Sequence, residues 1–187
     1  MTVVLTGVIQ TFLGLAGDTK PTAPPAGSTF FETDTGAIYV YDGGAWVLDL
    51  DTGPFRASKS LAFTGAANLG AVGNVPLFTV TGEVLVLAVV PFCTEDLLGA
   101  TATLALGVTG STALFIAATT ATDIDVNEFW IDATPDPNGI AVPAALKEIA
   151  ITDNIVGTVA TAAVTDGTIR FDLYWRPLSS NGLVVAA

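Results

Sequence analysis

The chain has 187 residues, of which 51% are hydrophobic and only 13% charged, enough to bury a sizeable core in one ordinary domain with or without an appendage. Six Lys and Arg face eighteen Asp and Glu, a formal net charge of −12, and there is no histidine. That balance excludes the basic face needed to grip nucleic-acid phosphates or an anionic membrane surface.

Met1 to Ala16 is apolar and uncharged, an arm expected to become ordered only against another surface. No basic residue precedes its apolar part, which speaks against a secretory signal. Prolines at 21, 24 and 25 then fix backbone dihedrals and remove donors. The linker from Gly17 to Gly27 should therefore run extended and outside any sheet. From Ser28 the pattern changes. Thr29 to Thr33, Ala37 to Tyr41 and Ala45 to Leu50 read as strands, joined by turns at Asp34-Thr35-Gly36 and Asp42-Gly43-Gly44. Residues 28–53 thus read as a three-stranded meander. Such a meander is barely stable alone in water, so Phe30, Phe31, Tyr39, Tyr41 and Trp46 need a surface to pack on.

Asp51-Thr52-Gly53-Pro54 marks a boundary, and residues 54–187 read as one domain rich in Thr, Val, Ile and Gly. No long stretch has an apolar face at helical spacing, while short apolar or alternating runs recur between Gly, Asn, Asp and Pro clusters. Eight strands are predicted, near 58–64, 76–81, 83–92, 101–107, 112–119, 124–132, 155–163 and 168–176. Val84 to Val90 is almost unbroken apolar sequence and suits a strand covered on both faces. Asp132 to Pro143 reads as a long loop, and Ala144 to Ile149 as a short helical turn or a further strand. Asp166-Gly167 reads as a hairpin turn between the last two strands. The fold class expected is all-β, a sandwich of jelly-roll type preceded by the arm and the meander. Gly99 to Thr122 carries no charge and is long enough to cross a bilayer. Its many Thr and Gly, its lack of flanking Lys or Arg, and the Gly107-Val108-Thr109-Gly110 turn point instead to two strands.

Much chemistry is missing. Without histidine there is no Ser-His-Asp or Cys-His machinery and no imidazole metal ligand. A lone cysteine, Cys93, sits in an apolar run and reads as a buried small hydrophobe. Lys20, Lys59 and Lys147 follow no phosphate-binding loop. Asp123, Asp125, Glu128 and Asp132 are candidates for a glycosidase-type carboxylate pair. Asp123-Ile124-Asp125-Val126-Asn127 resembles the start of an EF-hand loop, but Glu128 and Thr134 stand where that loop needs Gly and Glu. The plainer reading is a strand with Asp123, Asp125 and Asn127 outward and Ile124 and Val126 inward. No catalytic residue, metal or cofactor is therefore expected.

Gly17-Asp18-Thr19-Lys20-Pro21, Gly27-Ser28-Thr29-Phe30-Phe31-Glu32-Thr33-Asp34-Thr35-Gly36 and Tyr39-Val40-Tyr41-Asp42-Gly43-Gly44-Ala45-Trp46 together resemble a segment of tailed-bacteriophage virion proteins, both fibre and head-associated. Tyr174-Trp175-Arg176-Pro177-Leu178-Ser179-Ser180-Asn181-Gly182 resembles the ending of small phage structural proteins. The resemblance implies an architectural role and transfers no catalytic residue. On this reading the chain is a non-enzymatic capsid decoration or cement protein on the outer surface of the head. Its partners are the major capsid protein and copies of itself, by analogy with capsid three-folds a homotrimer. The interface residues expected are Val3, Val4, Leu5, Phe12 and Leu13 of the arm and Phe30, Tyr39, Tyr41 and Trp46 of the meander; for these aromatics, packing on their own domain is the competing reading. The alternatives are a receptor-binding head or tail fibre protein using Phe129, Trp130 or Trp175, a glycan depolymerase, and an unrelated secreted sandwich.

Overall fold

A computed structural model describes residues 8–49, 54–137, 139 and 141–187. The chain divides into two compact units, 1–56 and 57–187. Both are built of strands, as the alternating patterns require.

The first unit is a four-stranded sheet in the order β1-β2-β3-β4. Its strands are β1 (Thr11–Gly14), β2 (Thr29–Glu32), β3 (Ile38–Tyr41) and β4 (Trp46–Leu48). The last three form the expected antiparallel meander. Gly36 and Gly43 supply positive φ in its two turns. The Asp42 carboxylate accepts hydrogen bonds from the amides of Gly44 and Ala45 at 2.7 and 2.8 Å, an Asx turn. Part of the predicted arm joins this sheet: β1 pairs in parallel with β2, Phe12 opposite Phe30. A parallel pair needs a long crossover, and the proline-rich stretch, which holds no strand, supplies it.

The second unit is a β-sandwich. One sheet has the order β10-β7-β12-β5 and the other β13-β6-β11-β8-β9. The strands are β5 (Phe55–Ala62), β6 (Gly73–Thr81), β7 (Val84–Leu98), β8 (Thr103–Val108) and β9 (Ser111–Thr120). They are followed by β10 (Ile149–Ile151), β11 (Ile155–Ala160), β12 (Asp166–Pro177) and β13 (Leu183–Ala186). The uncharged stretch from Gly99 to Thr122 forms the β8–β9 hairpin with its turn at Thr109-Gly110. No helix among the described residues is long and apolar enough to cross a membrane. Ala144 to Ile149 splits between the two readings, a 3-10 turn at Ala144–Leu146 and then the start of β10.

Three sequence expectations are corrected. The first concerns Val84 to Val90. Its buried positions are Val84 and Val86, then Val89, Pro91 and Cys93, then Leu97; Leu85, Leu87, Ala88 and Val90 are half-exposed. The inward phase slips because β7 has 15 residues against the 12 of β12, with irregular register between Tyr174 and Trp175 and again between Asp166 and Ile169. A bulge adds a residue on one strand and moves the core face by one position. Shifted alternation, rather than cover on both faces, makes this run apolar throughout.

The second is Asp166-Gly167. It does not turn a hairpin, because β11 pairs with β6 and β8 while β12 pairs with β7 in the other sheet. The positive φ of Gly167 serves the register shift at the start of β12.

The third is 124–132, which is not a strand. A 3-10 turn at Ala121–Asp123 leads into irregular chain lying along the second half of β7. Cys93 N donates to Glu128 O at 2.8 Å, Asn127 N to Cys93 O at 2.9 Å, and Trp130 N to Pro91 O at 3.2 Å. Asn127 has φ +70°, which no regular strand accommodates. Ile124 is fully buried as expected, but Val126 is 41% exposed. Trp130 is fully buried, and its Nε1 donates to Thr119 Oγ1 on β9 at 2.9 Å. This side chain pins the loop between the sheets. Trp130→Phe removes the bond and leaves a void, at a cost of about 2 kcal/mol. Urea unfolding of the variant measures this; a loss below about 0.5 kcal/mol would show that the loop is held by other contacts.

Candidate interaction surface

Phe30, Tyr39, Tyr41 and Trp46 gather with Phe12 on one face of the first unit's sheet, while alternation along β2 turns Phe31 to the other. Trp46 meets Phe12, Phe30 and Tyr41 edge-on, with ring centroids 6.0, 6.0 and 5.4 Å apart. Edge contacts of this kind suit the ring quadrupoles. The linker folds back over them. Pro21 O accepts a 2.9 Å hydrogen bond from Trp46 Nε1, and Lys20 Nζ sits 4.1 Å from the Tyr39 ring centroid and 4.9 Å from that of Phe30. Lys20 Nζ also donates to Glu32 Oε1 at 2.7 Å, and Thr35 Oγ1 donates to Glu32 Oε2 at 2.7 Å. Glu32 is buried, so these donors replace the water it has lost. Burial first, and then the Glu32 carboxylate, pushes the Tyr39 phenol above its usual pKa.

The expected interface residues are therefore placed unequally. Phe30 and Tyr41 are buried, and Phe12, Tyr39 and Trp46 half-buried. Leu13 is 71% exposed, because alternation along β1 turns it away from the side Phe12 occupies. Val3, Val4 and Leu5 lie outside the described residues. The structure adds apolar side chains that the sequence reading did not single out: Val8, Ile9, Leu15 and Val47 are exposed as well. Strict alternation, applied to residues 8–15 as a strand and not as an unstructured arm, is the signal that separates Leu13 and Leu15 from Phe12.

Of the candidate carboxylates, Asp123 and Asp125 are exposed, and Glu128 and Asp132 are engaged with backbone. Glu128 Oε2 accepts from Asp125 N at 3.0 Å, and Asp132 Oδ1 from Thr134 N at 2.6 Å. Nearby, Asp96 Oδ1 accepts from Val126 N at 2.6 Å. Among the described residues, no group of three or more acidic or cysteine side chains is placed to hold a metal ion. Phe129 packs against Phe92 with ring centroids 4.9 Å apart and planes tilted by 59°, and Trp130 and Trp175 are buried. Cys93 is buried, its Sγ donating to Glu95 O at 3.1 Å. Burial, reinforced by the nearby carboxylates of Asp96, Glu128 and Asp125, pushes its thiol up to about 11.

Two predictions follow from these environments. Lys20→Met keeps the stem over the rings but strands Glu32 without its cation, and should destabilise the first unit by about 1–3 kcal/mol. Adding Glu32→Gln should restore most of that loss; amide hydrogen exchange across β1 and β2 reads both variants, and equal protection in all three proteins would show that the pair is dispensable. Cys93 should not react with a thiol reagent at pH 8 in the native protein but should react fully after unfolding, and rapid native labelling would contradict its burial.

No protein-family model matches the chain, and no curated protein matches it. Among solved structures, it is similar to a chain of the cyanophage Pam1 capsid asymmetric unit, at 23% identity, covering 65% of this chain and 83% of that one, with a TM-score of 0.37.

Proposed function

We propose that this chain is a non-enzymatic structural protein of a tailed-phage virion, a decoration or cement protein held on the outer surface of the head. The observation that carries the reading is the row of exposed apolar side chains at Val8, Ile9, Leu13 and Leu15, uncharged and led by the apolar segment 1–7. Large apolar side chains left open in one short segment mark a surface that another protein covers. The residues resembling phage virion proteins, 17–48, belong to the same unit. The partner is then the major capsid protein, with neighbouring copies of this chain, most simply as a homotrimer, completing the contact. Nucleic acid and membrane are not partners of so acidic a chain.

The fibre or adhesin reading is less favoured, because sugar recognition calls for open aromatic faces. Of the three aromatics nominated for it, Trp130 and Trp175 are buried and Phe129 is half-buried against Phe92. Of the four carboxylates nominated for a depolymerase, Glu128 and Asp132 are used to hold the chain's own backbone, which makes that reading the weaker one.

Binding of the full chain to purified shells of the source phage tests the proposal. Val8→Asp combined with Leu13→Asp places two charges on the exposed row without touching the ring cluster. Shell affinity should fall more than about tenfold, with unchanged circular dichroism. Full occupancy by this variant would remove the row as the anchor. Electron cryomicroscopy of particles should show the chain at repeated positions over the head; density at one vertex or a tail tip would favour the adhesin.

A further inference from the structure

A cleft of about 410 Å³ opens where the connections after β6, β8, β10 and β12 meet. Glu83 reaches it from the turn between β6 and β7, Val108 from the end of β8, and Leu114 from β9. Ile151 and Asp153 come from the end of β10 and the turn after it, and Leu178 from just beyond β12. Val108 and Ile151 are buried, Leu114 is half-buried, and Leu178 is 53% exposed. The walls are therefore aliphatic, and the volume lies at the small end of the roughly 300–1,000 Å³ typical of binding clefts.

The turns around the cleft are tied to one another. Leu178 N donates to Glu83 O at 2.8 Å, and Glu83 N donates to Ser179 Oγ at 2.9 Å. Gly110 N donates to Asp153 Oδ2 at 3.1 Å, and Thr109 N to Asn154 O at 3.0 Å. A side chain at Gly110 would strike the Asp153 carboxylate, so turn and carboxylate are in close contact. The cleft is thus held open before anything enters it, which lowers the cost of binding. Its charge has one sign. Glu83 and Asp153 line it and no Lys or Arg does; Arg176, opposite Leu85, is not among the lining residues. Among the described residues, no hydrogen bond or ion pair engages the Glu83 carboxylate, and Asp153 takes a single backbone amide.

We infer that this cleft is a docking site for a basic side chain, arginine or lysine, carried on a segment of a partner protein. Charge complementarity selects that occupant. Two carboxylates without a cation, in a chain of net charge −12, attract a positive group both locally and at long range. Aliphatic walls suit a cation that arrives on an apolar stem, and arginine and lysine bury such stems while their heads meet carboxylates. A bare metal ion is the poorer fit, since no group of three or more ligating side chains is placed to hold one among the described residues. Ala150 and Leu178 are both exposed and continue apolar surface outward from the cleft. The occupant therefore has an aliphatic neighbour beside its cation, as a peptide segment does and a lone amine does not. The inference goes beyond the decoration role, because it concerns the chemistry of the bound segment, whichever protein carries it.

Nuclear magnetic resonance of the full chain, labelled at Ile, Leu and Val methyls, decides it. The probe is acetyl-leucyl-arginine amide, and its control carries citrulline, the uncharged isostere, in place of arginine. The arginine peptide should move the methyls of Val108, Leu114, Ile151 and Leu178 with a Kd of about 1–10 mM. The citrulline peptide should bind at least about threefold more weakly, as should the arginine peptide to Glu83→Gln, whose exposed position spares the fold. Raising salt from about 50 mM to about 500 mM should weaken binding. Glu95→Gln, an exposed carboxylate that does not line the cleft, should leave binding unchanged. No movement of the cleft methyls up to about 50 mM peptide would overturn the inference. Equal binding of the two peptides would do the same, since it marks a merely apolar groove. So would shifts spread over the 123–136 segment and lost with Glu95→Gln, which mark attraction to acidic surface at large. None of these measurements involves shells, so their outcome leaves the decoration role to its own test.

Discussion

The sandwich hangs on the antiparallel ribbon of β7 and β12. These are its longest strands, and their pairing runs from Val84 opposite Pro177 to Leu98 opposite Asp166. The bulges in β7 allow one strand to serve the core over its whole length. Each shift of phase returns an apolar residue to the inside, so Val86, Val89, Cys93 and Leu97 are all buried although they do not share one parity. The outer edge of β7 is then used twice. β10 pairs with its first residues, and the loop around Glu128 takes backbone bonds from its second half. Covering a long edge with a short strand and an irregular loop blunts a template for unwanted strand pairing.

Scarcity of charge is the second constraint. A chain with few ionic groups has few partners for its carboxylates, and several of the exposed or half-exposed ones bind backbone instead. Asp42, Asp96, Glu128 and Asp132 accept nearby backbone amides. In the first unit, one lysine closes the aromatic face and neutralises the one buried glutamate beneath it. In the second, Asp172 accepts from Ser58 at 2.7 Å and Arg170 at 2.9 Å, so a carboxylate is kept within a sheet by two neighbouring donors.

Fold class was legible from residue types because β-branched runs and Gly or Asp-Gly turns are local signals. The meander turns at Gly36 and Gly43 and the β8–β9 turn at Thr109-Gly110 were read correctly for that reason. Strand order was not legible, since β7 and β12 pair across some 70 intervening residues and nothing local records it. Asp166-Gly167 misled because positive φ serves a bulge as well as it serves a hairpin. The 124–132 segment misled because its apolar alternation is real at Ile124 and Trp130 but is interrupted between them by a left-handed Asn127, which propensity alone does not reveal. At the candidate surface, the aromatic positions were found, but not their direction. Phe12 and Leu13 are adjacent and equally apolar, and only the pairing of β1 with β2 decides which of them faces the ring cluster.

Acidity and apolar exposure are then two halves of one arrangement. If −12 were spread evenly, every approach between copies would bring carboxylates together. Instead the second unit concentrates acidic residues in the latter half of β7 and the 123–136 segment, which lie side by side. Beyond about 10 Å, ordinary ionic strength screens the concentrated charge, so its effect stays local to the segments that carry it. The exposed side chains of Val8, Ile9, Leu13 and Leu15 stand within an uncharged stretch of the first unit, so apolar and acidic surface are kept in separate segments of the chain.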